Sequence, residues 1–337
     1  MTTLHESIDI FSNYRLEEDD ITRFEPCFCI TLFSLETVTK EHAPESLLTP
    51  YKIFWEDFGS QVDRILYDGN QSYGVKITEK NRSVPFEWLR NTKRRSKDNT
   101  SIDLYAGNNK RERRLPCLDW EYDNACLEVN QPSHSFFRIS LPLSWLAERG
   151  VEGVEAYIKR LTGDFPLSWG YAGFALCFGS EEVVTRKDLE EYIKQWIKRH
   201  PGIMSPNPRI ESLWTATTDG ITSLGWITLL GPEFCQRMGG ITELQQKMSS
   251  IAEVQVTPFM QNGALIRIGE TPLLGDSLHN DPLDSYHAVA QTLKPLHRVA
   301  ERLDTDYLRV SGMDDEEERK KWFTRFFDPQ DKKQNAD

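Results

Sequence analysis

A series of glycine-bounded apolar segments between residues 225 and 286 constrains the fold of this chain more than any other feature. Gly225 to Gly231 reads Gly-Trp-Ile-Thr-Leu-Leu-Gly, a short apolar strand with a glycine at each end. A second apolar segment, Ala264 to Ile268, follows Asn262-Gly263, a dipeptide typical of hairpin turns. The series predicts buried strands joined by tight turns, and its apolar strands read as a scaffold without catalytic side chains.

Strand-like runs and helical apolar stripes alternate along the rest of the chain. Strands are predicted at about 24–36, 72–78, 101–106, 117–123, 134–143, 167–178, 225–231, 254–256 and 264–268. Helices are predicted at about 50–68, 151–162, 185–200, 232–238 and 241–250, and from Asp281-Pro282 to Pro295. Few helical crossovers separate the strands, which favours the α+β class, with antiparallel-rich sheets packed against helices, over a parallel sheet. Each half reads as strand, helix, strands, helix, which suggests two similar lobes.

The composition divides the chain into three segments. Residues 1–22 are polar, contain Glu17-Glu-Asp-Asp20, and are predicted to be a flexible arm. Residues 23–312 are predicted to form the α+β domain, with lobes at 23–165 and 166–312. Residues 313–337 begin with Asp314 to Glu318, become rich in lysine, and are predicted to form a charged helix and a frayed tail.

Charge and cysteine content restrict the class of partner and the cellular compartment. Forty basic and 52 acidic residues give a formal net charge of −12, which argues against general affinity for nucleic acid and suits a basic partner. The six cysteines lie mostly in strand-like runs, and Cys27 and Cys29 would face the same side of a strand, so reduced, buried thiols are expected. The amino terminus lacks the basic and apolar regions of a signal peptide, and no apolar run approaches the ~20 residues of a membrane span. We therefore expect a cytoplasmic protein.

The chain lacks the common catalytic sequence motifs. It contains neither Gly-x-Gly-x-x-Gly nor a Walker loop, so no cofactor is predicted. Asp276, His279 and Asp281 leave open the alternative of a metal-dependent small-molecule hydrolase. The structural interpretation is that Asp276 lies in a turn and Asp281 caps a helix that begins at Pro282. On that interpretation no metal site is expected.

A basic run interrupts this acidic chain. Residues 80–114 contain eleven basic residues against four acidic ones. Apart from Tyr105, the part from Arg90 to Arg114 lacks the interleaved aromatic residues that stack on bases. A solvated loop is the simplest interpretation. The alternatives are contact with an acidic part of a protein partner and a nucleic-acid-binding module formed by Arg90 to Arg114.

The segment Leu118-Asp-Trp-Glu-Tyr-Asp123 carries an acidic pattern of strand periodicity. In a strand, Asp119, Glu121 and Asp123 would line one face, and successive carboxylates would lie about 6.8 Å apart. A row of this kind suits the basic groove of a nuclease, where phosphates repeat at similar intervals. An ordinary half-exposed strand with a polar outer face would produce the same pattern. These three residues are the candidate partner-binding residues.

The glycine, proline and aromatic positions of the second half have a recognisable order and spacing. They are Trp214, Gly225-Trp226, Leu229 to Gly231, Gly239-Gly240, Ile266 to Pro272, Gly275-Asp276, Asp281, Tyr286 and Leu293 to Leu296. In this respect the chain resembles, over roughly residues 24–300, a bacterial family of type VI secretion immunity proteins, many of which are paired with nuclease toxins. The resemblance implies a non-enzymatic protein that binds and neutralises a co-encoded type VI toxin. The shared positions are architectural, so the resemblance implies no functional residues.

Overall fold

The structure is a computed structural model, and the residues that it describes are 4–34, 45–67, 74–84, 86–87, 100–107, 112–122, 135–178, 187–204, 211, 219–279, 281, 283–298 and 316–328. Within them, eleven strands form one sheet in which every neighbouring pair is antiparallel. The strands are β1 (Leu16–Glu18), β2 (Ile21–Ser34), β3 (Arg64–Tyr67), β4 (Val75–Lys76), β5 (Thr100–Ala106), β6 (Arg114–Tyr122), β7 (Ser135–Leu141), β8 (Trp169–Phe178), β9 (Ile227–Leu230), β10 (Val254–Phe259) and β11 (Gly263–Ile268). Their order is β10-β11-β9-β8-β2-β7-β6-β5-β3-β4, and β1 pairs with β2 outside this path.

Helices cover both faces of the sheet and confirm the α+β class. They are α1 (Leu4–Ser12), α2 (Thr49–Phe58), α3 (Glu79–Arg82), α4 (Leu143–Leu161), α5 (Lys187–Arg199), α6 (Pro232–Arg237), α7 (Ile241–Met248), α8 (Asp284–Leu293) and α9 (Glu316–Thr324), with a 3₁₀ turn at Glu45–Leu48 before α2. None of the helices described is long and apolar enough to cross a membrane.

The long strands β2 and β8 form the centre of the sheet, and the two predicted halves of the chain meet there. Phe28 of β2 pairs with Phe174 of β8, and both side chains are fully buried. One core lies on each face, because the two strands are apolar on both sides. The division into lobes at residue 165 remains a prediction, and the sheet runs continuously across it.

Gly231 is required by a close approach of two backbone segments where β9 leads into α6. A Cβ atom at this position would lie 2.1 Å from the carbonyl oxygen of Leu167. The amide of Gly231 also donates a 2.7 Å hydrogen bond to the carbonyl of Ser168. Only glycine lets the chain turn into α6 this close to the neighbouring backbone.

Several predicted elements are confirmed, and two assignments are wrong. The hairpin that turns at Asn262-Gly263 is present as β10 and β11, and the last core helix, α8, ends before Pro295. Ile65 and Leu66, assigned to a helix from their spacing, belong instead to β3, because pairing of β3 with β5 outweighs the local periodicity. Asp281 is not a helix cap, since α8 begins at Asp284 and residue 283 holds the capping position.

The described parts of both terminal segments pack against the sheet. Within the predicted flexible arm, α1 buries Phe11 completely, and Tyr14 stacks on Trp196 of α5 at 3.6 Å between ring centroids. At the other end, the predicted charged helix is present as α9, and the turn that follows it buries Phe326 and Phe327. Charged residues dominate the sequence of both segments, so their short apolar faces could not be recognised from composition.

Candidate partner-binding surface

The acidic pattern predicted around residue 120 lies on β6. Leu118 and Trp120 are fully buried in the core on one face of the sheet, and Asp119 alternates to the other face. Glu121 continues β6, although its side chain lies outside the described structure, as does all of Asp123. The alternation predicted from the sequence is therefore present at 118–120.

Asp119 takes part in a local ion-pair cluster. Its register partner on β5 is Asp103, so two carboxylates lie opposite each other on neighbouring strands. Arg113 bridges them, because its guanidinium donates to Asp119 and, at 3.4 Å, to Asp103. The Asp119 side chain retains 25% exposure. The sequence pattern did not indicate that Asp103 and Arg113 belong to this surface. Pairing the predicted strands at 101–106 and 117–123 would have placed Asp103 there.

A buried polar network continues from this cluster across the sheet. Arg138 of β7 lies opposite Asp119 and donates to the hydroxyls of Thr31 at 3.2 Å and Tyr171 at 3.4 Å. Tyr171 in turn donates to Glu211, a fully buried carboxyl whose pKa is raised by burial to about 7. These buried groups connect three strands to the segment at residue 211 and have no access to solvent.

Two arginines of the basic run form ion pairs within the protein. Arg113 neutralises the two aspartates and lies over the ring of Tyr105, 5.5 Å from its centroid. Arg114 donates to Glu112 at 2.7 Å. Residues 88–99 and 108–111 lie outside the described structure. The described part of the run therefore offers structural ion pairs and does not favour the nucleic-acid-binding alternative.

The candidate metal ligands Asp276, His279 and Asp281 have other roles in the structure. Arg199 donates to the Asp276 carboxylate with Nη2 at 2.7 Å and Nε at 3.1 Å, and His279 Nδ1 donates to it at 2.8 Å. The hydrogen bond from Arg199 holds the pKa of Asp276 well below its usual range. Asp281 contacts residue 276 through its backbone amide, at 3.1 Å from the carbonyl oxygen, while its side chain is exposed.

These contacts do not support the metal-dependent hydrolase. A carboxylate whose oxygens already accept from a guanidinium is poorly placed to coordinate a cation. Moreover, no group of three or more metal-binding side chains is found among the residues that the structure describes. Asp276 organises a surface loop, and the sequence interpretation of this residue as a turn aspartate is confirmed.

The described cysteines are buried, as predicted, and none of them forms a disulfide bond in the structure. Cys117 of β6 and Cys177 of β8 come closest, with 3.4 Å between their sulfur atoms. Burial raises the pKa of the Cys27 thiol well above its usual value. The full set described is Cys27, Cys29, Cys117, Cys177 and Cys235.

A comparison with solved structures found a protein of similar fold. A Pseudomonas aeruginosa T6SS protein, PA0821, is similar to this chain with a TM-score of 0.67 and 18% sequence identity. The similarity covers 91% of this chain and 83% of that protein, and at this identity it shows the fold alone. No curated protein sequence matches the chain.

The family is identified from the sequence match. The family model TsiV, described as type VI immunity for VRR-NUC, matches residues 74–326, which is more than half of the chain. This chain therefore belongs to the TsiV family of type VI immunity proteins, and its partner is a type VI nuclease toxin. The predicted family and partner class are confirmed.

Proposed function

We propose that this protein neutralises its cognate nuclease toxin in the cytoplasm by covering the active site or the substrate groove of the toxin, without any catalytic activity of its own. The observation that carries the proposal is membership of a family described as immunity for VRR-NUC. Inhibition by coverage requires a stable interface and no reactive groups. The acidic balance of the chain, −12, supports it, because a groove that binds nucleic acid is basic.

Asp119, Glu121 and Asp123 are the proposed toxin contacts. Strand periodicity predicts that these three carboxylates share one face, where they would attract a basic groove and accelerate encounter more than they prolong the complex. Asp119 is held in place by Arg113, so its orientation is set before the toxin arrives. The Asp119 side chain, one quarter exposed, keeps part of its carboxylate available to solvent.

The first experiment tests the function itself. The toxin gene is expressed alone and together with this chain, and the purified pair is assayed for complex formation and for cleavage of nucleic acid. We expect lethality alone, survival with the chain, and a stable complex that neither binds nor cleaves nucleic acid. If no complex forms, the proposed function is wrong, and a complex that still binds nucleic acid would rule out coverage of the groove.

The second experiment tests the acidic row through the association rate. Asp119 is left in place, since a lysine there would lie against Arg113. The variant Glu121→Lys/Asp123→Lys is compared with Glu148→Lys/Glu152→Lys, which makes the same change in charge on exposed residues of α4, a helix packed on the opposite face of the sheet. We expect the first variant to slow association by about tenfold or more at low salt and to weaken its salt dependence. Equal rates for the two variants would remove the row from the interface.

A further inference from the structure

Four of the described cysteines pack in the core on one face of the sheet. Cys27 and Cys29 belong to β2, Cys117 to β6 and Cys177 to β8. Cys117 and Cys177 are in contact, with 3.4 Å between their sulfur atoms. Their strands are not neighbours, because β2 and β7 lie between them in the strand order. The contact therefore links two segments that the hydrogen bonds of the sheet do not link.

The end of β7 explains how β6 reaches β8. The last residue of β7, Leu141, pairs with Phe28 of β2. Beyond that pair β6 approaches β2 directly, and the amide of Leu115 donates to the Glu25 carboxylate at 3.0 Å. Glu25 is the register partner of Cys177, so this hydrogen bond holds the start of β6 beside the end of β8. The fold itself therefore brings the two thiols together.

The two sulfur atoms are close enough to form a bond without separation of the strands. A sulfur–sulfur bond is about 2 Å long, so atoms that are 3.4 Å apart must approach by about 1.4 Å. Rotation about the Cα–Cβ bonds moves side-chain sulfur atoms over distances of this order. The bond would join positions 60 residues apart in the chain.

Cys117 is the more acidic thiol of the pair. The hydrogen bond from Cys177, and then the positive charge of Arg113, lower the pKa of the Cys117 thiol against the effect of burial. Cys177 keeps its proton as the donor, and its pKa is raised well above the usual value by that hydrogen bond and by burial. The thiolate is the form of cysteine that reacts with oxidants. Cys117 is therefore the nucleophile of the pair and Cys177 the thiol that resolves its oxidised form.

The position of the pair restricts the oxidant to a small molecule. Cys117 is 1% exposed and Cys177 is 4% exposed. Cys177 lies one residue before the end of β8 at Phe178, and strand ends open locally more readily than strand centres. Hydrogen peroxide is only slightly larger than water and can enter through such an opening.

We propose that Cys117 and Cys177 form a peroxide-sensitive dithiol that closes to a disulfide and fastens β6 to β8. The Cys117 thiolate attacks one oxygen of hydrogen peroxide, the O–O bond breaks, and hydroxide leaves, so that the sulfur becomes a sulfenic acid. The Cys177 sulfur then attacks the Cys117 sulfur, the S–O bond breaks, and the second hydroxide leaves. The two hydroxides take up the two thiol protons. Two thiols thus lose two electrons in total, and peroxide is reduced to two water molecules.

The first test uses the unsubstituted, full-length chain, reduced and then treated with hydrogen peroxide. Free thiols titrated after denaturation should fall by two from the six of the reduced chain. Peptide mapping without reduction should give one cross-linked pair, containing Cys117 and Cys177, and dithiothreitol should restore both thiols. The oxidised protein should unfold about 5 °C above the reduced protein, because the bond restricts the unfolded chain.

The second test assigns the roles of the two thiols. In Cys177→Ala, oxidation should stop at a sulfenic acid on Cys117, which dimedone labels. In Cys117→Ala, Cys177 should remain unlabelled, because its thiol stays protonated. Cys235→Ala is the matched control, since it also removes a buried thiol, and it should form the same cross-link as the parent chain. Labelling of Cys177 instead of Cys117 would contradict the order of attack.

Three outcomes in the parent chain would overturn the proposal. They are six unchanged thiols after peroxide treatment, a cross-link between other cysteines, and oxidation of Cys117 beyond the sulfenic acid without a cross-link. The mapping of the parent chain needs no substitution, so it decides the question even if a variant does not fold. No measurement involves the toxin, so these results leave the proposed function unaffected.

Discussion

At the scale of single residues, Glu211 is a fully buried carboxyl whose environment differs strongly from water. Burial raises its pKa to about 7, although Tyr171 and Thr222 donate hydrogen bonds and Arg138 and Arg325 lie within its electrostatic reach. A carboxyl with a raised pKa in the folded state is stabilised when protonated. Its contribution to stability is complete below the unfolded pKa of about 4.5 and is lost as pH rises to about 7.

Replacing Glu211 by glutamine should therefore remove one component of the pH dependence. Between pH 4.5 and 7, the free energy of unfolding of the parent protein should fall relative to Glu211→Gln by about 2–3 kcal/mol. His297, whose pKa is lowered by burial to about 4, acts with the opposite sign in an overlapping range, so only the difference between the two proteins is informative. Urea unfolding at pH 5, 6, 7 and 8 measures it, with Glu148→Gln as an exposed control. A difference that does not change with pH would contradict the assignment.

At the scale of elements, the carboxyl-terminal helix α9 and the turn after it complete both cores. Trp322 and Phe323 join the core on one face of the sheet, and Phe326 and Phe327 join the other. Between them, the buried Arg325 donates to the carbonyls of Pro201 at 2.7 Å and Trp322 at 2.9 Å. Burial lowers the pKa of Arg325 to about 9. This segment is therefore part of the folded domain, although its charged sequence gave no indication of this packing.

Shortening Phe326 to alanine should destabilise the whole domain. The side chain is 1% exposed and packs on Tyr286 at 5.4 Å between centroids, so its removal leaves a cavity. We expect the free energy of unfolding to fall by about 3–5 kcal/mol. Lys321→Ala, on the exposed side of α9, is the control and should change it by less than about 0.5 kcal/mol. A loss below about 1 kcal/mol for Phe326→Ala, measured by denaturant unfolding, would show that the segment is only loosely attached.

At the scale of the whole molecule, one continuous sheet joins the halves that the sequence suggested as lobes. The first half contributes β2 to β7 and the second β8 to β11, and the ten-pair register of β2 with β8 joins them. Separation would expose the edges of two long, apolar central strands. We therefore expect the protein to fold as one cooperative unit.

Expression of residues 23–165 and 166–312 as separate chains tests this expectation. We expect neither fragment to give a folded spectrum alone, and the full chain to unfold in a single transition with coincident fluorescence and circular dichroism. A fragment with dispersed amide resonances and a cooperative transition of its own would establish independent lobes.

The parts of the fold that sequence reasoning captured are those with strong local periodicity. The β10–β11 hairpin followed from Asn262-Gly263, and the alternation around Asp119 followed from the apolar positions 118 and 120. The errors fell where tertiary contacts override local pattern. Ile65 has helical spacing from Phe58 and Val62 but lies in β3, which pairs with β5. Aspartate is a preferred residue type at helix N-caps, but Asp281 precedes a helix that begins only at Asp284.

In the candidate site, too, local patterns were recognisable in the sequence and long-range contacts were not. The acidic pattern on β6 was visible in the sequence, while its bridging cation Arg113 was hidden in a basic run that suggested a solvated loop. Asp276 was recognised as a turn residue, but its bond to Arg199 joins positions 77 residues apart and has no local signal.

By itself, the amino-acid sequence determined the α+β class, the type VI immunity family, the β10–β11 hairpin and the alternation around Asp119, since periodicity and turn chemistry are encoded locally. Only the tertiary structure decided that the halves share one sheet, that Phe11 and Phe326 are buried against it, and that Arg199 pairs with Asp276. The reason is that long-range pairing and exposure depend on which segments meet in space, and the energies that select those meetings are summed over residues far apart in the chain.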